Sequence, residues 1–156
     1  ILSLAYGFSY NWNAVNSNKL CPSGWKVPSY ADWQMLIAYL EQEGYLNQNI
    51  SDGAGNSIKS CYQVSSPDNS CNKSTHPRWN SSTNHGFNQY LFTAFPAGMM
   101  NLAGQYVSYG QYGYWWTQEE YDATRGIIIS TPYNAGNINI NTGNKNYGLS
   151  VRCIKE

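Results

Sequence analysis

Trp33, Leu36, Ile37 and Leu40 fall at i, i+3, i+4 and i+7, the spacing that lines one face of a helix. Ser29 stands where an N-cap hydroxyl is wanted, Asp32 three residues on completes a capping box, and Gly44 supplies a stop. Pro28 disfavours helical backbone at Val27, which sharpens the entry. The pattern predicts one amphipathic helix over about residues 30–43, directly after Cys21-Pro22-Ser23-Gly24-Trp25.

Beyond residue 45 the period changes. Short apolar pieces, broken by Gly, Asn and Pro, suit strands by branching, aromaticity or alternation: Leu91 to Phe95, Tyr114 to Thr117, Gly126 to Ser130, Ile138 to Ile140 and Leu149 to Cys153. In the last piece Leu149, Val151 and Cys153 would share one face by period two, turning the final cysteine toward the core near Cys21. A helix followed by a loop-rich antiparallel sheet defines an α+β class. With 156 residues and no linker or internal repeat, one domain over 1–156 is expected.

Composition narrows the function. Lys+Arg 9 against Asp+Glu 9 leaves no net charge, which argues against nucleic acid or an anionic membrane surface, since both demand a basic excess. No apolar run approaches the roughly 20 residues of a bilayer span. Charged residues make up only 12%, while 19 Asn, 17 Ser, 14 Gly, 14 Tyr and 6 Trp give polarity without charge. That balance fits a secreted or surface-displayed domain. Ile1 to Ala5 lacks the basic start and long apolar stretch of an export signal, so the chain is expected to begin after a removed signal or an upstream segment.

Cys21, Cys61, Cys71 and Cys153 contain no CxxC pair, so zinc-ribbon and thioredoxin spacings are absent. Two disulfides in an oxidising compartment is the economical reading, and four free thiols in a cytosolic protein is the alternative. Three connectivities are open. A local Cys61–Cys71 bridge would pin a Ser/Pro/Asp/Asn-rich loop and leave Cys21 to tie to Cys153.

Tyr6-Gly7-Phe8-Ser9-Tyr10-Asn11-Trp12, then Cys21-Pro22-Ser23-Gly24-Trp25-Lys26-Val27-Pro28-Ser29 with Trp33, resemble the opening of the Fibrobacter succinogenes major paralogous domain family. Gly86-Phe87, Phe95-Pro96-Ala97-Gly98, Gly113-Tyr114-Trp115-Trp116-Thr117 and Gly148-Leu149-Ser150-Val151-Arg152-Cys153 continue the likeness in order to the C-terminus. The resemblance implies a C-type lectin-like fold, a bridge between Cys21 and Cys153, and display on a bacterial surface, including lipoproteins of Bacteroidetes anchored through a segment outside this chain. Two departures stand out. Ser57 to Asn84, with its own cysteines, looks like a family-variable insertion, and Thr117-Gln118-Glu119 replaces the usual Ser-Ser-Thr. The Glu-Pro-Asn, Gln-Pro-Asp and Trp-Asn-Asp triplets of calcium-dependent sugar binding are missing, so that activity is not inherited with the fold.

Candidate chemistry is sparse. His76 and His85, both in polar stretches, read as solvated loop histidines. Glu119, Glu120 and Asp122 could ligate calcium but also suit a charged strand end, and Asp52 to Asn56 imitates part of a calcium loop without its glutamate, so it reads as a turn. No metal or cofactor is expected. A thiol oxidase like the formylglycine-generating enzymes, which use a related fold, would need a free cysteine. The richer feature is aromatic: Tyr106, Tyr109, Tyr112, Tyr114, Trp115 and Trp116 interleaved with glycines, Gln105 and Gln111. Such rings stack on sugars or anchor a protein, and amides hydrogen-bond hydroxyls. By the resemblance, Asn101 to Tyr112 would occupy the loops where lectins bind. Asn101, Gln105, Tyr106, Tyr109, Tyr112 and Trp115 are the candidate ligand contacts, with Trp115 also a candidate core residue. The expected function is a non-catalytic recognition or adhesion module for a glycan or cell-surface protein. A scaffold domain of a larger surface protein is the alternative, and an enzyme the third.

Overall fold

The computed structural model describes residues 2–156. Its centre is an antiparallel meander of β4 (Tyr112–Glu120), β5 (Arg125–Pro132) and β6 (Asn139–Asn144), hydrogen-bonded in that order. Trp115 pairs with Ile129 and Trp116 with Ile128, so successive cross-strand pairs face opposite sides of the sheet. Both sides are covered.

On one side, Trp115 and Ile129 join Trp33, Ile37 and Leu40 from α3 (Tyr30–Gln42), Ala54 and Ile58 from α4 (Ala54–Ile58), and Trp79. On the other, Trp116 and Ile128 pack with Trp12 and Val15 from α2 (Trp12–Val15), Val27 and Leu149. The expected helix is α3, ending one residue earlier than the pattern suggested. Its capping box is complete: Ser29 Oγ accepts from the Asp32 N–H at 3.0 Å, and the Ser29 N–H donates to Asp32 Oδ2 at 2.8 Å.

Small two-stranded pieces complete the frame. β1 (Trp25–Lys26) pairs with β7 (Ile154–Lys155), bringing the C-terminus beside the first helix turn, and Cys21–Cys153 closes the same corner. β2 (Met99–Met100) and β3 (Tyr106–Val107) form a hairpin. Gly98, at φ +68°, enters it where a Cβ would strike the Val107 carbonyl, so only glycine fits. The second disulfide is Cys61–Cys71. α1 (Leu2–Tyr6) packs Tyr6 inward and leaves Leu4 exposed.

Two expected strands are absent. Leu91 to Phe95 is a loop in which only Ala94 bridges to Lys59. Leu91 (φ +55°) and Thr93 (φ +56°) are left-handed, and the Asn88 side chain takes the Thr93 N–H at 2.7 Å, replacing a strand partner. Leu149 to Cys153 is also irregular: Leu149 bridges Tyr10 and Ser150 bridges Trp115, so two different neighbours break any single ladder. Leu149 is buried, whereas Val151 and Cys153 are half-buried, so the expected alternating face is not formed. Ser57 to Asn84 is built into the interior, with Ile58, Lys59, Gln63 and Trp79 among the largest fully buried side chains.

Candidate functional site

The candidate ligand residues separate into distinct places. Asn101 and Gln105 hold the β2–β3 turn: Asn101 Oδ1 accepts from the N–H groups of Ala103 and Gln105, both at 3.0 Å, and its amide donates to Gln105 Oε1 at 3.1 Å. The Asn101 side chain is thus committed to its own loop. Tyr112 stacks on Tyr114 across β4, with centroids 5.2 Å apart, on the face opposite Trp115. Trp115 is 6% exposed and lies against Trp33 (5.9 Å) and Phe92 (6.1 Å). It is a core residue, as is Trp116, and Gly113 leaves the space into which the Trp115 indole folds.

Tyr106 and Tyr109 do form a surface group, and it includes residues that the tyrosine pattern missed. Their rings lie 6.4 Å apart. Tyr109 meets His76 edge-on at 5.4 Å, and His76 Nδ1 shares a 2.5 Å hydrogen bond with the Tyr6 hydroxyl, which also accepts from the Arg78 N–H at 3.3 Å. Three distant segments therefore hold one aromatic cluster. Partial burial, and then the Arg78 charge, lower the His76 pKa and favour the neutral imidazole, while burial raises that of Tyr6. Tyr109 remains 40% exposed above these contacts. His76 is thus not a solvated loop histidine. His85 is not one either, since its Nδ1 is hydrogen-bonded to Gln63 Oε1.

Tyr6 connects this cluster to a concave strip. It lines a cavity of about 120 Å³ with Phe92, Trp115 and Arg152. Phe92 and Arg152 also wall a larger groove of about 340 Å³, with Trp33, Leu36, Pro28 and Ile154. The aromatic triad of Trp33, Phe92 and Trp115 forms the rib between them, the Trp33–Phe92 centroids being 5.8 Å apart. No sequence period could reveal this site, because it gathers α3, the 88–93 loop and the C-terminal segment.

The acidic cluster disperses. Glu119 accepts from the Tyr30 N–H at the start of α3 (2.7 Å), Glu120 pairs with Lys145 (2.7 Å) and Asp122 with Arg125 (2.7 Å). Among the described residues, no group of three or more His, Cys, Asp or Glu side chains could hold a metal ion. Asp52 to Asn56 is more than a turn: Gly53 caps α4, where a Cβ would run into the Gly136 and Gln48 carbonyls. All four cysteines are in disulfides.

Fold and site together define a disulfide-tied α+β domain with an aromatic surface cluster beside an apolar groove. The chain belongs to the Fibrobacter succinogenes major domain family, whose model matches residues 3–155. No curated protein and no solved structure matches it. Its two disulfides fit an extracytoplasmic location. Among the described residues, no helix is long and apolar enough to cross a membrane.

Proposed function

We propose that this domain is a non-catalytic recognition or adhesion module of C-type lectin-like architecture, displayed outside a bacterial cell, that meets a glycan or cell-surface protein through Tyr106, Tyr109 and His76. The observation that carries this reading is the fixed aromatic cluster. Tyr109 presents an exposed ring whose orientation is set by His76, itself hydrogen-bonded to buried Tyr6. Pre-organised rings lose little conformational entropy when a ligand stacks on them. Asn101 supports the site indirectly by shaping the hairpin, whereas Tyr112 and Trp115 belong to the packing behind it.

A scaffold role within a larger surface protein is the second reading. Thiol chemistry has least support, because every cysteine is bridged.

Tyr106→Ala and Tyr109→Ala separate the first two readings. Each is expected to weaken ligand binding about tenfold or more, as truncated aromatic anchors do. Tm should stay within about 3 °C of the parent, as for substitutions outside a core. Loop variants that bind as well as the parent would overturn the tyrosine site.

A further inference from the structure

Arg152 has no ion-pair partner among the described residues. It is half-buried, and its guanidinium lies 4.5 Å over the Phe92 ring, which satisfies one face by cation–π attraction. Its N–H edge finds no hydrogen-bonding or acidic partner among the described residues, whose ion pairs are Lys26–Asp32, Arg125–Asp122 and Lys145–Glu120. Partial burial lowers the Arg152 pKa, although an arginine so shifted stays charged. A partly desolvated charge without a partner is costly.

The groove around it carries a matching asymmetry. Pro28, Trp33, Leu36, Phe92 and Ile154 give an apolar wall. Asp32, the acidic residue on the rim, is already engaged by the Lys26 ammonium at 3.0 Å and by Ser29. The Trp33 indole N–H, in the same wall, is buried without an acceptor. The unpaired Arg152 guanidinium edge thus stands beside an unfilled apolar space. The wall also includes a costly backbone feature, because Phe92 sits between two left-handed non-glycine residues, Leu91 and Thr93.

We propose that this groove is a binding site for a small carboxylate with an apolar body, the carboxylate paired with the Arg152 guanidinium edge and the body lying between Phe92 and Leu36. A planar guanidinium matches a carboxylate through paired N–H bonds, and the apolar wall strengthens that attraction by excluding water. The assignment is independent of the tyrosine face: Tyr109→Ala should leave it intact.

The test uses the intact oxidised chain and 3-phenylpropionate as probe, followed by NMR at the Arg152 Nε–H and Trp33 Nε1–H signals up to about 10 mM, a range that reports millimolar affinity. Saturable shifts at both signals are expected, with at least tenfold weaker binding of 3-phenylpropionamide, which has the same body and no charge. Arg152→Gln should abolish the shift at Trp33, and Arg152→Lys should restore part of it. If Arg152→Gln does not fold, the acid-against-amide comparison on the parent chain decides. Equal binding of acid and amide, or shifts at Lys26 or Lys155 without any at Arg152, would overturn the proposal, as would no saturable shift with the acid.

Discussion

Lys59 is fully buried with no carboxylate beside it. Its ammonium position is bounded by Asn56 Oδ1 at 2.8 Å, the Ala135 carbonyl at 2.7 Å and the Trp79 ring at 5.3 Å. Burial brings its pKa down from 10.5 to about 7. Between those values the unfolded chain holds a proton that the folded chain lacks, so stability rises with pH across that window and is flat below it. The slope contributed is at most about 1.4 kcal/mol per pH unit. Urea unfolding of the parent and Lys59→Met at pH 7.5 and 9.5 checks this: the parent should gain on the variant at the higher pH. Parallel behaviour would mean that the buried amine titrates elsewhere. At the same scale, the sequence placed six residues in one candidate site. Only Tyr106 and Tyr109 share a surface group, because composition marks aromatic density without saying which rings a sheet turns inward. Trp115 shows the limit, since a tryptophan suited to a sugar is equally suited to Trp33 and Phe92.

At the level of elements, legibility followed locality. α3 was readable because its cap, its apolar face and its stop are written within sixteen residues, Ser29 to Gly44. β4 and β5 were readable because their apolar side chains are needed on both faces. The 91–95 and 149–153 segments were not, since a strand exists only where a partner accepts its whole ladder, and here Asn88, Tyr10 and Trp116 take the hydrogen bonds one at a time. The groove at Arg152 was invisible for the same reason. The cap at Ser29 gives a local test: Ser29→Ala removes one side of the box and should cost about 1 kcal/mol, read as a lower urea midpoint with unchanged slope. An unchanged midpoint would show that the Lys26–Asp32 pair and the Glu119 contact suffice to hold the helix start.

The whole molecule is tied by a bridge between its two ends. Cys21–Cys153 spans a sequence separation of 132 and Cys61–Cys71 one of 10. In the chain-entropy description the long closure stabilises by roughly 4–5 kcal/mol and the short one by about 3 kcal/mol. Cys21→Ser with Cys153→Ser should therefore lower the urea unfolding free energy more than Cys61→Ser with Cys71→Ser. The reverse order would place the dominant constraint in the 61–71 loop. This architecture leaves the tyrosine cluster on a surface braced from three segments, the arrangement on which the proposed recognition role rests.

The most direct measurement of that role is a glycan array probed with the oxidised domain, with and without calcium, beside Tyr109→Ala. Recognition through the tyrosine face is expected to appear as reproducible binding to a related set of sugars, indifferent to calcium and lost in Tyr109→Ala. An empty array, or binding that needs calcium and survives Tyr109→Ala, would contradict glycan recognition through this face.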